Sequence, residues 1–471
     1  VLDNLTRKIR ESLNISDAEN IEIIWEHPGD LSHGDYSTNI ALAISKHLGK
    51  NPKVIAEEIV ESLLKENIDY IEKIEVAGGG FINIYLSRQF FTESIKNISE
   101  NPNFGKTEIL SGKKFMVEYT DPNPFKEFHI GHLMSNTIGE AFSRIVESNG
   151  AEVKRACYQG DVGLHVAKAI LGMKESSDSL PNDSSAIDEW AKYLGACYTL
   201  GATLGEEEKN KSVLQDLNKK IYERSDEEVN KLYDIGRKKS LEYFEEIYKK
   251  LGTKFDYYFF ESASGQFGKE IVLENLEKGI FEKGEGDAVI FRGEKYNSAL
   301  HTRVYINSQG LPTYEAKELG ISKIKYDTYQ YDNSIIITGN EINDYFKVLL
   351  ESMKQVFPEL EKKTKHISHG MLRLPSGKMS SRTGDVITGE TLLASVSERV
   401  VEKMKETERE PDADLVNKIA VSALKYSVLK QTTGKDIIFD FDKSLSFEGD
   451  SGPYMCYSHA RARSILEKAI E

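Results

Sequence analysis

The sequence predicts an α/β protein built on a doubly wound parallel sheet, with an α+β region before the sheet and a helical region after it. The main observation is a strand–helix–strand succession. Lys114–Thr120 and Glu152–Tyr158 alternate as strands, and Leu133–Asn149 carries an apolar helical face between them. Two strands joined through a helix in this way pair in parallel. The second observation is that strands and helices alternate again from about residue 286, beyond a long polar and helical stretch.

The composition is that of an ordinary globular protein with more than one domain. The chain has 471 residues, of which 39% are hydrophobic and 29% are charged, and its formal net charge is −15. This acidic balance excludes a protein that coats nucleic acid by overall charge, so an RNA partner would need a local basic patch. No apolar run is long enough to span a bilayer, and the N-terminus lacks the apolar segment of a secretory signal. Cys157, Cys197 and Cys456 form no C-x-x-C pair, which favours a reducing cytoplasm.

Residues 1–110 are predicted to form a self-contained α+β unit. Helical periodicity covers Asn39–Leu48 and Lys53–Leu64. Ile71–Leu86 is predicted to be a strand, a glycine turn and a second strand, because apolar residues alternate in FINIYL. The glycines 78–80 form either the turn of a hairpin or a close backbone contact with a ligand, and the hairpin is the simpler interpretation.

An insertion splits the sheet-forming pattern. Residues 111–173 hold the first half of the predicted sheet domain, and residues 286–390 hold the second half. The insertion, residues 174–285, contains the Lys- and Glu-rich segment Lys209–Lys250, whose apolar residues recur at helical spacing. We therefore predict a helical subdomain packed through one face rather than a coiled coil. The second half is predicted to contain three strands and two helices, namely strands at Asp287–Arg292, Ser334–Thr338 and Lys365–Leu372, a helix from about Tyr314 and a helix over Asn343–Val356.

Residues 391–471 are predicted to be helical, including a helix at Leu415–Leu429. The final segment, SGPYMCYSHARARSILEKAIE, is amphipathic, and no glycine, proline or polar tail closes it. We therefore expect that the chain stops within a helical C-terminal domain.

Two histidines and a glycine stand together where the first predicted strand turns into its helix, in the sequence KEFHIGHL. At such a turn of a parallel sheet, free backbone N–H groups and the helix dipole favour an anion. Gly131 lets a phosphate approach the backbone, and His129 and His132 can donate hydrogen bonds to phosphoryl oxygens. The alternatives are a pair of core or surface histidines, or half of a metal site that lacks a nearby third ligand. Taken alone, this turn does not decide between these interpretations.

A second loop strengthens the phosphate interpretation. The segment KMSSR, Lys378–Arg382, follows a predicted strand and lies between two glycines. Hydroxyls, a lysine and an arginine on a flexible loop suit a triphosphate whose charge grows in a transition state. A basic surface loop is the alternative for this segment by itself. Two such loops at the ends of two strands of one sheet have a small joint probability of arising by chance.

The two loops together resemble the HIGH and KMSKS motifs of class I aminoacyl-tRNA synthetases. Four longer segments narrow the resemblance to arginyl-tRNA synthetases: VEYTDPNPFKEFHIGHL, YQGDVGLH, HGMLRLPSGKMSSRTGD and FDFDKSLSFEGDSGPYMCYSHARARSIL. Near the N-terminus, HGDYSTNIALAISKHLGKNPKVIAEEI resembles the additional N-terminal domain of that family. The resemblance implies a Rossmann-type parallel sheet with an inserted helical subdomain, an N-terminal domain that contacts tRNA, and a C-terminal helical anticodon-binding region that we expect to be incomplete.

For ATP, the resemblance implies that His129 and His132 bind the phosphates and stabilise the α-phosphorus, with Gly131 close to the adenosine. Lys378 and Ser380 would embrace the triphosphate from the second loop.

One position departs from the family pattern, because Ser381 occupies the place of the second lysine of the KMSKS motif. The resemblance implies that Lys126 compensates, since one lost cationic donor can cost about 3–4 kcal/mol of barrier. An exposed loop lysine is the alternative at this position. His369, Gly370 and Met371 resemble the adenine-binding segment, and His369 alone is also compatible with a capped core histidine.

For the substrate arginine, the resemblance implies four residues, Glu118, Asn123, Tyr314 and Glu318, the last standing where the family often has Asp. A guanidinium group is a rigid fork of donors that pairs best with carboxylates placed for bidentate contact. A structural salt bridge is the alternative role for Glu118. Gly160, Asp161 and Gly163 of the GDVG segment are expected to line the ribose or amino-acid cleft.

The expected function is arginine–tRNA ligase activity, with ATP and Mg²⁺ as cofactors and L-arginine and tRNA(Arg) as partners. The resemblance also implies that tRNA binds before arginine is activated, and we expect a cytoplasmic monomer without a dedicated metal cage. Two other functions stay open: a different nucleotidyltransferase with HIGH-type loops, and a synthetase-like RNA-binding protein without catalysis. The tRNA-binding flanks argue against the first, and intact His129, His132 and Lys378 argue against the second.

Overall fold

Two units make up the structure, a computed structural model that describes residues 1–13, 21–66, 68–373, 388–406, 410–432, 434–446 and 448–470. The first unit is Val1–Lys106 and the second is Thr107–Glu471.

The N-terminal unit is a small antiparallel sheet with helices packed against it. Its elements are, in chain order, α1 (Leu2–Leu13), β1 (Tyr36–Thr38), α2 (Ile40–Leu48), α3 (Pro52–Leu64), β2 (Ile71–Ala77), β3 (Phe81–Leu86) and α4 (Arg88–Glu100). β3 pairs antiparallel with both β1 and β2, which confirms the predicted hairpin over residues 71–86. The side chain of Asn51 caps α3 by accepting a hydrogen bond from the N–H of Lys53. The apolar faces of α1, α2 and α3 form one core with the sheet.

The second unit alternates strands and helices around an insertion. Its elements up to the end of the insertion are β4 (Lys114–Glu118), α5 (Ile130–Ser148), β5 (Glu152–Gln159), α6 (Leu164–Glu175), α7 (Ile187–Gly205), α8 (Glu208–Glu223), α9 (Glu227–Leu251), β6 (Tyr257–Phe260) and α10 (Glu261–Glu277). The following elements are β7 (Glu282–Lys283), β8 (Val289–Arg292), β9 (Thr302–Ile306), α11 (Tyr314–Thr328), β10 (Asn333–Gly339), α12 (Asn343–Val356), α13 (Pro358–Glu361), β11 (Thr364–His369) and β12 (Leu372–Arg373). The last elements are α14 (Gly389–Glu406), α15 (Ala413–Leu429), β13 (Ile437–Ile438), α16 (Phe441–Ser444) and α17 (Gly452–Ile470).

Five parallel strands form the centre of this unit, in the order β11-β10-β4-β5-β6. The chain runs from β4 outward to β5 and β6 on one side, and then returns to β10 and β11 on the other side. This order confirms the predicted doubly wound parallel sheet. In such a sheet, ligands bind at the carboxyl ends of the strands where the order reverses, which places the expected site at the carboxyl end of β4.

Three strands differ from the sequence prediction. The sequence predicts helices across residues 174–285, yet β6 lies within this range and joins the parallel sheet as an edge strand. β8 lies in a separate antiparallel sheet with β7 and β9. The prediction of one strand over Lys365–Leu372 is wrong at its end, because β11 stops at His369 and Leu372 belongs to β12, which pairs with β13. Alternation of apolar residues does not report which partner a strand finds, so these differences arise from long-range pairing.

The inserted helices α7 and α8 and the first half of α9 bury apolar residues against α6, which confirms the predicted packing through an apolar face. The second half of α9 packs in the main core with the strands of the parallel sheet. Within the described residues, no helix has the length and apolar character needed to cross a bilayer.

Candidate active site

The turn before α5 is capped by its own histidines. The Nδ1 atom of His129 accepts a hydrogen bond from the N–H of Gly131 at 3.1 Å, and Nδ1 of His132 accepts one from the N–H of His129 at 3.3 Å. Because both Nδ1 atoms accept, both rings carry their proton on Nε2. The two rings stack with centroids 3.5 Å apart. A Cβ at Gly131 would lie 3.0 Å from the His129 ring, so the glycine makes room for this cap. α5 therefore begins at Ile130, before the predicted Leu133.

Both histidines are neutral in the free protein. Burial, followed by the charge of Lys126, lowers the pKa of His129 to about 4. Burial also lowers the pKa of His132 well below its ordinary value, and repulsion from His129 and Lys126 adds to the effect. Among the described residues, no side chain or carbonyl accepts a hydrogen bond from either Nε2–H. The N-terminus of α5 thus carries two neutral donors that are available to an anion.

The loop between β4 and α5 is held in an unusual backbone conformation. Thr120, Asp121 and Phe125 have positive φ angles of 82°, 46° and 68°. Non-glycine residues rarely adopt such angles, and β4 therefore ends before the predicted Thr120. Two buried hydroxyls fix the loop: the N–H of Thr120 donates to Oγ of Ser135 at 3.0 Å, and the N–H of Phe125 donates to Oγ of Ser240 at 2.8 Å.

A cleft of about 540 Å³ opens in front of this loop. Its lining includes Asn123, Lys126 and Tyr314, so the structure brings these three predicted site residues together. The Nζ atom of Lys126 lies 4.5 Å from the ring centroid of Tyr198, and Lys126 forms no ion pair with a described carboxylate. Tyr314 is 58% exposed. The cleft therefore offers one unpaired cation and an accessible aromatic ring.

Carboxylates gather around one buried lysine at the carboxyl end of β4. Oε2 of Glu118 lies 2.8 Å from Nζ of Lys325, and their side chains are 2% and 1% exposed. Burial, followed by the charge of Glu118, raises the pKa of Glu318 to about 8 and raises the pKa of Asp121 well above its ordinary value. The Oε2 atom of Glu318 is enclosed and has no hydrogen-bond partner among the described residues. We call this buried cluster of three carboxyl groups around one ammonium group the acid pocket. Glu118 pairs with the ammonium group, and the raised pKa of Glu318 and of Asp121 shows that the cluster resists further negative charge unless another cation is supplied.

A second buried ion pair lies between the acid pocket and the cleft. Nζ of Lys317 is 2.5 Å from Oε2 of Glu261, and Lys317 also lines the cleft. The charge of Glu261 is one of the causes that raise the pKa of Glu318. A Cβ at Gly160 would overlap the amide oxygen of Asn123 and would lie 3.4 Å from Oε1 of Glu261, so Gly160 leaves room for the Asn123 side chain.

The four predicted arginine ligands fall into two groups. Glu118 and Glu318 lie in the acid pocket, whereas Asn123 and Tyr314 line the cleft. The ion pair of Glu118 with Lys325 is the structural salt bridge that the sequence left open for this residue. Its part in arginine binding stays a prediction.

Residues of the GDVG segment lie in different surroundings. Gly163 lines the cleft of about 540 Å³. Asp161 does not, because its buried carboxylate accepts hydrogen bonds from Nε of Arg237 at 2.8 Å, from Tyr233 at 3.2 Å, and from the N–H and hydroxyl of Ser262, each at 2.8 Å. Asp161 thus fastens α9 and the start of α10 to the end of β5.

The predicted adenine-binding segment begins at the last residue of β11, His369, at the same edge of the sheet. Nδ1 of His369 lies 2.8 Å from the carbonyl oxygen of Gly370, so Nδ1 carries the proton and Nε2 is an acceptor. This Nε2 is buried without a hydrogen-bond partner among the described residues. Met371 is exposed, and its N–H donates to Oδ1 of Asp436 at 2.9 Å.

The predicted KMSKS-like residues Lys378, Ser380 and Ser381 lie outside the described residues. The described chain resumes at Thr388, which forms a β-bridge with His129. The N–H of Gly389 donates to the carbonyl of Phe128 at 2.7 Å.

Sequence reasoning missed Lys325, Lys317, Glu261 and Asp121. Lys325 lies 207 residues from its partner Glu118, and only the fold brings the two together. The one available signal is the presence of charged residues on the faces of α10 and α11 that the structure buries.

Comparisons with known proteins agree on one family. Residues 94–441 match the family model described as tRNA synthetases class I (R), catalytic domain, and residues 3–86 match the arginyl tRNA synthetase N terminal domain. An arginine–tRNA ligase of Fusobacterium nucleatum is 34% identical over 446 residues, which cover 93% of this chain and 76% of the relative. One of Treponema denticola is 31% identical, covering 95% of this chain and 77% of the relative.

Solved structures show the same fold. The Thermus thermophilus arginyl-tRNA synthetase superposes with a TM-score of 0.77 at 21% identity, covering 99% of this chain and 81% of that chain. The arginyl-tRNA synthetase of Plasmodium falciparum gives a TM-score of 0.70, also at 21% identity, covering 99% and 80%. From the family models and the curated relatives, the chain belongs to the arginyl-tRNA synthetases, a family of class I aminoacyl-tRNA synthetases.

Proposed function

We propose that this chain is an arginine–tRNA ligase, which activates L-arginine with ATP and transfers the arginyl group to the 3′ end of tRNA(Arg). In the first step the arginine carboxylate attacks the α-phosphate of ATP, and pyrophosphate leaves. In the second step a hydroxyl of the terminal ribose attacks the arginyl carbonyl, and AMP leaves. Neither step needs a protein nucleophile, so positioning and charge stabilisation supply the rate. The turn formed by residues 129–132 is called the HIGH turn below. The observation that carries the proposal is that the acid pocket lies at the same edge of the sheet as this turn.

The acid pocket is proposed to bind the guanidinium group. Glu318 offers an enclosed oxygen that has no hydrogen-bond partner among the described residues, and its raised pKa indicates that the single ammonium of Lys325, which pairs with Glu118, does not suffice for a second charged carboxylate. A guanidinium group brings a permanent positive charge and a planar set of donors that can satisfy Glu318 in a bidentate manner. A lysine side chain would leave buried acceptors unpaired, and such unpaired groups make rejection strong. Glu118, which is paired with Lys325, would add its negative charge to the guanidinium site.

The other end of the arginine substrate is proposed to lie in the cleft. Asn123 and Tyr314 line the cleft next to the acid pocket. Contacts from these two side chains to the α-amino end would turn the arginine carboxylate toward the HIGH turn, where it can approach the α-phosphate.

The phosphates of ATP are proposed to lie at the N-terminus of α5. The Nε2–H groups of His129 and His132 would donate to phosphoryl oxygens there. Because the rings are neutral, they attract the ground-state triphosphate less than cations would, and their hydrogen bonds strengthen as charge develops in the transition state. Lys126 would supply a cation on the near side, and Lys378 and Ser380 would approach from the second loop.

The adenine base is proposed to lie against the end of β11. The buried Nε2 of His369 is an acceptor without a described partner, and the 6-amino group of adenine is a donor that would satisfy it. Backbone groups of Gly370 and Met371 would complete this contact.

We further propose that Mg²⁺ comes bound to the ATP phosphates, as this ion commonly does. In the described part of the chain, no group of three or more His, Cys, Asp or Glu side chains could hold a metal ion. The N-terminal unit and the helices from α14 onward are proposed to contact tRNA. We also propose a cytoplasmic location from the proposed role in translation; the three free cysteines would stay reduced there.

The test is charging of tRNA(Arg) by the purified protein with each amino acid in turn, together with exchange of pyrophosphate into ATP with and without tRNA. We expect charging with arginine alone and an exchange reaction that depends on both arginine and tRNA. Binding of tRNA without charging or exchange would identify a non-catalytic RNA-binding protein. Exchange driven by a different small acid, independent of tRNA, would identify another nucleotidyltransferase.

A further inference from the structure

An enclosed tyrosine hydroxyl lies at the carboxyl end of the parallel sheet, apart from the cleft. Tyr345 stands in the first turn of α12, the helix that follows β10. Its Oη atom is enclosed and has no hydrogen-bond partner among the described residues. Tyr345 is not among the described residues that line the cleft. A buried hydroxyl without a hydrogen bond is costly, and such groups in folded proteins usually have a partner, so this one requires an explanation.

The ring of Tyr345 is held by contacts that do not use its hydroxyl. The guanidinium carbon of Arg303 lies 5.7 Å from the ring centroid, and the ring of Phe346 meets that of Tyr345 edge-on, with centroids 5.4 Å apart. Arg303 is itself paired with Glu315, whose Oε1 lies 3.5 Å from Nη1 of the arginine. The packing of the ring thus accounts for its place in the fold, and the hydroxyl is left over.

The hydroxyl of Tyr345 lies close to the acid pocket. Glu318 is on α11, which packs against α12. Burial, followed by the charge of Glu318, raises the pKa of the Tyr345 hydroxyl well above its ordinary value, so the two groups lie within electrostatic reach of each other. The Oε2 atom of Glu318 is also enclosed without a described partner, and the two side chains form no hydrogen bond with each other. A ligand with several donors would satisfy both groups at once.

A guanidinium group is such a ligand, because it carries more N–H donors than one carboxylate can accept. A bidentate pair with Glu318 would leave further N–H groups without an acceptor. We propose that Tyr345 is a further specificity-determining residue, whose hydroxyl oxygen accepts an N–H of the substrate guanidinium group that Glu318 leaves free. The hydroxyl stays protonated and neutral, so it adds direction to the site rather than charge. This proposal rests on the proposed arginine–tRNA ligase function.

Tyr345→Phe tests the proposal, because it removes the hydroxyl and keeps the ring. The lost contact is present in the ground state and in the transition state alike, so the KM for arginine in the charging reaction should rise about tenfold. The values of kcat and of the KM for ATP should stay within twofold of wild type. The melting temperature of the free protein should not fall, because the hydroxyl that is removed has no partner in the fold.

The matched control is Tyr305→Phe. Tyr305 is a buried tyrosine of β9, and its hydroxyl donates to Oγ of Ser352. Its removal should show the opposite pattern, with a lower melting temperature and a KM for arginine within twofold of wild type, because the lost hydrogen bond belongs to the fold. A Tyr345→Phe variant that behaved like Tyr305→Phe would show that the Tyr345 hydroxyl is structural, and it would overturn the proposal.

The proton released when arginine binds separates a direct contact from an effect through Glu318. We expect Tyr345→Phe to release the same amount as wild type, measured by calorimetry in two buffers with different ionisation enthalpies. An altered release would show that the hydroxyl acts on the ionisation of Glu318, and it would overturn the proposed contact. An unchanged KM for arginine, in a wild-type background that charges tRNA(Arg), would overturn this proposal alone. Failure of the wild-type protein to charge arginine would overturn the proposed function and this proposal with it.

Discussion

The HIGH turn and the acid pocket lie at the same edge of one sheet and are prepared for opposite charges in opposite ways. At the turn, His129 and His132 satisfy backbone N–H groups through Nδ1 and stay neutral, so they offer only their Nε2–H donors. In the pocket, Glu318 keeps an enclosed oxygen without a described partner, and its pKa is raised to about 8. The turn is fully organised before its ligand binds, whereas the Glu318 carboxyl of the pocket holds its proton at neutral pH and would ionise only when a cation binds.

This difference suggests that the turn serves catalysis and the pocket serves substrate selection. An organised turn of neutral donors costs no rearrangement when charge develops on phosphorus, which suits catalysis. A pocket of unpaired carboxylates discriminates between substrates, because only a ligand with matching charge and geometry relieves it. Changes at the turn should therefore act mainly on rate, and changes in the pocket should act on the choice of amino acid.

The largest effect is expected from Glu318→Gln. Loss of the charged acceptor would leave a buried guanidinium group partly unpaired, so kcat/KM for arginine should fall about 1,000-fold. In the same variant the melting temperature at pH 8 should rise, because a buried carboxylate that resists ionisation is removed. Steady-state charging and thermal unfolding measure the two outcomes.

The control for this variant is Asp327→Asn on the same helix, since Asp327 pairs with Lys323 at the surface. It should leave both quantities nearly unchanged. If Glu318→Gln kept its kcat/KM for arginine, the acid pocket would not be the guanidinium site.

A smaller loss is expected from His132→Ala. Removal of one preorganised donor should lower kcat for adenylate formation about 100-fold and leave tRNA binding largely intact. The variant also loses the acceptor that holds the N–H of His129. His132→Asn separates the two effects, because its Oδ1 can replace Nδ1 while its shorter side chain places no donor at the position of Nε2–H. Single-turnover rates should be low in both variants; full activity in His132→Asn would show that the histidine only supports the turn.

The pH dependence of arginine binding should reveal the raised pKa of Glu318. In the free protein the pKa of Glu318 is raised to about 8, so its carboxyl is protonated at pH 7. A guanidinium group favours the ionised form, so binding should release a proton. Affinity should rise with pH up to about 8, by up to about tenfold per pH unit. Calorimetry in two buffers with different ionisation enthalpies measures the proton, and Glu318→Gln should abolish its release.

The same raised pKa of Glu318 predicts how the stability of the free protein depends on pH. Since the folded state holds the Glu318 proton more tightly than the unfolded state, the contribution of this group is present at low pH. It is lost as pH rises through about 8. A wild-type melting temperature that did not fall relative to Glu318→Gln between pH 6 and pH 9 would contradict this linkage.

The smallest effect is expected at the histidine turn. With its pKa lowered to about 4, His129 should not titrate between pH 5.5 and pH 8 in the free protein, and neither should His132. Ring-proton chemical shifts followed by NMR should stay constant for both residues over this range. A midpoint near 6.5 for either ring would contradict the buried, neutral state of the turn.

The sequence was most informative where chemistry is local. Asn149 and Gly150 mark the end of α5, and the structure places the C-cap there. The start of that helix was misjudged, because a histidine that caps a helix through Nδ1 has no signature in apolar periodicity. The end of β4 differs from the prediction for a similar reason, since Thr120 has a positive φ and its N–H donates to the hydroxyl of Ser135, a contact that strand alternation does not predict.

Contacts between residues far apart along the chain could not be predicted from local sequence patterns. The resemblance implies Glu118 and Glu318, but nothing in the sequence indicates that Lys325 pairs with Glu118. The sequence predicts only that the helix α8 packs through its apolar face, yet Gln215, Asn218 and Tyr222 of this helix line the cleft. Side chains that meet across the fold follow from topology, which local patterns do not specify.

The central claim is that carboxylates without sufficient counter-charge select the guanidinium group. The most direct measurement is charging of tRNA(Arg) with L-arginine against L-citrulline, which replaces the guanidinium group by a neutral urea of nearly the same shape. We predict that kcat/KM for citrulline is lower by at least about 1,000-fold, and that Glu318→Gln narrows this ratio. Comparable charging with the two amino acids would contradict the account.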